Sequence, residues 1–142
     1  MKAMPFKFEQ PRVWTQALNY IDCVYELANQ LPRSEEYNIK SQITRAATSV
    51  ALNIAEGSIS QTNAEQARFL SMAIRSLVET VACQHIISRR HMLQDTDVLR
   101  RAYKEAEALV ASLHTMRKAL LSNQQGLREE SEGYTIDPES DI

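Results

Sequence analysis

The 142-residue sequence holds three glycines, four prolines, two cysteines and three histidines. So few glycines leave no Gly-rich loop to cradle a phosphate. So little punctuation also suits a few long helices better than many short strands. No apolar run approaches the ~18 residues of a membrane-spanning helix, and the N-terminal MKAMPFKFEQ lacks the apolar stretch of a secretory signal. Cys-x-x-Cys is missing; Cys23 and Cys83 fall singly on apolar helix faces and read as buried, reduced thiols of a cytoplasmic protein. The residues three before His85, His91 and His114 are Ala82, Ser88 and Ala111, so the Glu-x-x-His pairs of a bundle di-iron site do not occur. No Arg stands five to seven residues ahead of any His, which removes the Arg/His pair of a helical ribonuclease. The expectation is a protein with no catalytic residue, no metal and no cofactor.

What is present divides by charge. The net charge is −2, but residues 124–142 carry Arg128 against Glu129, Glu130, Glu132, Asp137, Glu139 and Asp141. That leaves the first 123 residues with 15 basic and 12 acidic side chains, a mildly basic body of +3 followed by an acidic tail of −5. The tail is aperiodic and poor in aliphatic residues, which predicts a mobile segment beyond a domain spanning 1–123.

Within that domain the apolar spacing predicts four helices. The first opens at Pro11, whose missing N–H costs nothing in a first turn, and ends at Pro32. It bears two adjoining apolar stripes, through Trp14, Leu18, Ile21 and Tyr25 and through Val13, Ala17, Tyr20, Val24 and Leu27. The second is expected from about Tyr37 to Glu56, with Gly57 taking positive φ to stop it. Thr62 and Glu65 form a capping-box pattern for the third, over about Asn63 to Arg90, with apolar residues over half its circumference. Asp95 or Thr96 caps the fourth, whose heptad Leu99, Ala102, Ala106, Leu109, Leu113, Met116, Leu120 runs to about Asn123. Short links between them give an up-down-up-down four-helix bundle, all-α. The wide apolar faces of helices one and three predict self-association.

The second helix organises the rest. Its apolar stripe is Ile39, Ile43, Ala46, Ala47, Val50 and Ile54, and beside it runs a polar one: Gln42, Arg45, Ser49, Asn53 and Glu56. A solvated face would carry Lys and Glu; small polar side chains suit a contact in which each donor finds a partner. Gln42-Ile43, Arg45-Ala46-Ala47, Ser49 and Asn53-Ile54-Ala55-Glu56-Gly57 resemble the signature of the four-helix bundle proteins encoded in intervening sequences of large-subunit ribosomal RNA genes. Accessory proteins of diversity-generating retroelements fall in the same broad group. The resemblance extends to Val13-Trp14, Leu31-Pro32, Arg68-Phe69-Leu70, Ala73, Ser76-Leu77 and Glu79, covering roughly residues 8–121. Ala51 and Arg75 depart from it, standing where the family usually has Pro and Gly.

The resemblance implies a barrel-like homopentamer and a non-enzymatic adaptor that associates with a reverse transcriptase and with RNA. The residues themselves offer one nucleic-acid candidate. Arg89 and Arg90 close the third helix, and Arg100, Arg101 and Lys104 open the fourth, where cations oppose the helix dipole. Repeated round a ring they would make a basic rim able to hold phosphate backbone, RNA or DNA, without reading sequence. The alternatives are a sequence-nonspecific nucleic-acid-binding ring and a bundle that binds only protein. A tail of this length reaches the rim of a neighbouring copy more readily than its own.

Overall fold

The computed structural model describes residues 6–9 and 11–132, with side chains as far as Ser122. Four helices carry the chain: α1 (Arg12–Ala28), α2 (Ile39–Gly57), α3 (Asn63–Arg89) and α4 (Asp97–Glu132). Each packs on its sequence neighbours, and α4 closes back onto α1. That leaves α1 and α3 facing each other across the diagonal. Ion pairs and ring contacts give the direction of the strands of the bundle. His85 meets Tyr103 edge-on at 6.3 Å between ring centroids, and Arg117 Nε donates to Ser71 Oγ at 2.7 Å. Both contacts fit one antiparallel register, which sets the start of α3 opposite about residue 125 of α4. The last turns of α4 therefore run past the end of α3.

The core is where the apolar spacing put it. Tyr20, Leu27, Ile43, Leu70, Leu77, Ile87, Leu109 and Leu113 are fully buried, joined by Ala47, Val50 and Ala73 on the faces between them. Each large side chain taken from water contributes roughly 1.5–3 kcal/mol, so this cluster dominates the folding free energy. Small residues along α2 and α3 let these two helices approach closely. Gly57 is the extreme case: a Cβ built there would lie 2.8 Å from Phe69 Cβ.

This corrects the expectation for Gly57, whose backbone is helical and does not take positive φ. The left-handed residue is instead His91, with φ 52° at the end of α3. Met92 N–H donates to Ile87 O and His91 N–H to Ser88 O, both at 3.1 Å, the paired bonds of a Schellman end. Thr62 caps α3 as its pattern implies, its Oγ1 accepting from Glu65 N–H at 3.1 Å. Asp95 Oδ1 accepts from Asp97 N–H at the head of α4.

The expected end near Asn123 is also corrected, since α4 continues as helix to Glu132. Gln, Leu, Arg and Glu are good helix formers, and a helix already under way extends through them without a buried face. The remainder of the expected tail, residues 133–142, lies outside the described residues. None of the helices is long and apolar enough to cross a membrane among the described residues.

Candidate functional site

The polar stripe of α2 lies along the groove between α2 and α3. Gln42 Nε2 donates to Glu79 Oε2 at 3.3 Å, and Ser49 Oγ meets Ser76 Oγ at 2.9 Å. Asn53 is buried, with its Nδ2 donating to Ser49 O at 2.9 Å and to Ser49 Oγ at 3.1 Å. Three members of the stripe thus tie α2 to α3 rather than waiting for a ligand. Arg45 and Glu56 do not take part. Arg45 is exposed beside a shallow hollow lined by Tyr25, Thr48 and Leu52, and no ion pair holds it. Glu56 is exposed near Phe8 and Ile59.

A second polar group crosses the core diagonal, and the sequence gave no periodic signal for it. Gln84 Nε2 donates to Tyr20 Oη at 2.7 Å, and Tyr20 Oη lies 2.7 Å from Thr80 Oγ1. Thr80 in turn donates to Leu77 O. The order is forced: Thr80 has given its proton to Leu77, so Tyr20 must donate to Thr80 and accept from Gln84. Burial pushes the Tyr20 hydroxyl up to about 12, against the lowering effect of its bonds to Thr80 and Gln84. The chain leaves Gln84 Oε1 buried with no hydrogen-bond partner. Cys23 and Cys83 are free and buried, and desolvation raises both thiols, Cys23 to about 11 with Glu105 adding to the rise.

The basic cluster does not stay together. Arg101 turns toward α1 and pairs with Glu26 Oε1 at 3.1 Å, and this carboxylate raises its already high pKa. Arg100 pairs with Asp97 within α4 at 3.0 Å. Arg89, Arg90 and Lys104 remain exposed without an ion pair among the described residues. Arg100 and Lys104 border a cleft of about 300 Å³ between α3 and α4, together with Gln84, His85, Leu99 and Tyr103. Gln84 is the buried residue of that lining.

Large apolar side chains stand in solvent on two helices. On α3, Val78 is 57% exposed and Ile86 49%, eight residues apart on one face. On α1, Leu18 and Tyr25 are 41% and 46% exposed, seven apart. The periodic pattern had assigned Leu18 and Tyr25 to an apolar stripe but had not separated what faces inward from what faces out. No group of three or more His, Cys, Asp or Glu side chains that could hold a metal ion occurs among the described residues.

These features define a four-helix bundle whose polar side chains mostly join helix to helix, with apolar strips and one cationic cleft left on its surface. The family model of the 23S rRNA-intervening sequence protein matches residues 9–124, and the chain belongs to that family. Among solved structures it is similar to a protein of unknown function from the S23 ribosomal protein family of Bacteroides thetaiotaomicron. The TM-score is 0.54 at 22% identity, covering 78% of this chain and 95% of that one. At that identity the likeness speaks for the fold. No curated protein matches the sequence.

Proposed function

We propose that the protein is a non-enzymatic, self-associating adaptor, and that the outward apolar strips of α1 and α3 are its contact surfaces. The observation that carries this is the alignment of Val78 with Ile86 and of Leu18 with Tyr25 on helix faces. Single exposed aliphatics are ordinary, whereas aligned ones on a bundle surface mark contacts with protein. The resemblance to retroelement accessory proteins points to a reverse transcriptase and RNA as partners of the assembled form, and a homopentamer is the assembly it suggests. Sedimentation velocity at micromolar concentration is the test. The wild-type chain is expected as an oligomer, and Val78→Glu with Ile86→Glu as a monomer with unchanged helix content. A wild-type monomer rejects the reading.

A second reading keeps nucleic acid as a direct ligand, because Arg89, Arg90 and Lys104 stay unpaired near one end of the bundle. With Arg101 held by Glu26 and Arg100 by Asp97, fewer free cations remain than the five of the sequence cluster. Phosphate binding through them would fall steeply with salt.

A further inference from the structure

The cleft between α3 and α4 combines four features that together specify an occupant. At about 300 Å³ it sits at the small end of ligand pockets, room for one ring side chain rather than a large cofactor. Leu99 and Tyr103 give it an apolar wall. Gln84 Oε1, on the buried lining residue, is an acceptor whose own amide N–H is committed to Tyr20, so the occupant must bring a donor. Lys104 and Arg100 border the opening, so acidic groups belong next to the ring. An aromatic ring carrying an O–H, followed closely by carboxylates, meets all four requirements.

This chain contains such a segment. Residues 133–142, GYTIDPESDI, place Tyr134 ahead of Asp137, Glu139 and Asp141, with no basic residue among them. We propose that the cleft receives this segment from a second copy of the chain. Tyr134 enters beside Leu99 and Tyr103 and donates its hydroxyl proton to Gln84 Oε1, while Asp137 and Glu139 meet Lys104 and Arg100. The second copy is required by length. Along α4, Lys104 and Glu132 are separated by about 42 Å at 1.5 Å per residue. Tyr134 lies two residues beyond Glu132, a reach of at most ~7 Å, and even Asp141 reaches no farther than ~32 Å. A chain therefore cannot fill its own cleft, and each cleft is complete only in an assembly. The inference rests on the self-associating reading above and names a contact within it.

The test uses the full-length chain. Sedimentation velocity at low and high salt is compared for wild type, Tyr134→Phe, Lys104→Glu, Asp137→Lys and the Lys104→Glu/Asp137→Lys pair. Tyr134→Phe removes only the O–H and is expected to weaken association roughly fivefold or more by stranding Gln84. Each single charge reversal weakens it further at low salt, and the pair restores most of the loss. A photo-crosslinking side chain in place of Tyr134, in a mixture of isotopically heavy and light protein, is expected to join heavy to light chains through α4 peptides containing Leu99 or Tyr103. Crosslinks confined to single chains, or an oligomer indifferent to all four variants, overturn the cleft contact while leaving self-association standing. A monomer under every condition overturns both.

Discussion

Gly57 and Tyr20 show how much single residues decide here. Gly57 sits in helical backbone, so its lack of a side chain serves the approach of α2 to Phe69 on α3. The obstructing atom is a Cβ fixed to helix backbone, which cannot swing aside. Gly57→Ala is therefore expected to destabilise by ~1–3 kcal/mol despite alanine's better helix propensity, read by denaturant unfolding. Tyr20 predicts a pH dependence. The unfolded hydroxyl loses its proton near 10, whereas the folded one holds it to about 12. Between those values the unfolded state binds fewer protons, so stability falls as pH rises through that window, by about 2–3 kcal/mol in all. Tyr20→Phe should flatten that part of the profile, although it lowers stability at neutral pH by stranding Gln84 and Thr80. A slope between pH 10 and 12 identical to wild type would contradict the assignment.

At the scale of elements, the α2–α3 contact takes over the polar stripe. Asn53, Ser49 and Gln42 are bonded across or along it, while Arg45 is left in solvent. The two substitutions most naturally paired by sequence should then separate. Asn53→Ala is expected to cost ~1–3 kcal/mol through the partners it strands. Arg45→Ala should stay within about 0.5 kcal/mol in the isolated subunit. Thermal unfolding of both variants checks this, and equal losses would mean Arg45 is engaged as Asn53 is. Ala51, buried in α2, and Arg75, exposed on α3, are compatible with straight helices where the wider family places Pro and Gly.

Over the whole molecule, charge is set apart along the long axis. The cations freed of partners lie where α3 ends and α4 begins, and the acidic segment follows the far end of α4. Such polarity disfavours contact between like ends and favours contact between opposite ones, which is the arrangement of a heterologous interface that closes into a ring. Association driven partly in this way weakens with added salt, whereas the apolar strips of α1 and α3 do not share that sensitivity. Titrating salt in the sedimentation experiment separates the two contributions.

Much of the fold was legible without coordinates. The 3/4 spacing of Ile43, Ala47, Val50 and Ile54, and of Leu99, Ala102, Ala106, Leu109 and Leu113, named the core faces, because helical burial repeats with the helix. Thr62 announced its helix because capping is local chemistry. Gly57 was misread, since a positive-φ stop and a close contact demand the same residue, and only the position of Phe69 tells them apart. His91 gave no signal, because left-handed backbone at a helix end is ordinarily glycine's place. The stripe's polar character was visible, but its division into bonded Asn53 and free Arg45 depends on where α3 lies. Likewise five basic residues near in sequence became three free ones, because Glu26 and Asp97 reach Arg101 and Arg100 only after the helices have packed. The cleft and the Tyr20–Thr80–Gln84 chain were beyond sequence for the same reason: they join residues some sixty positions apart, and periodicity carries no information about which face of one helix meets which face of another.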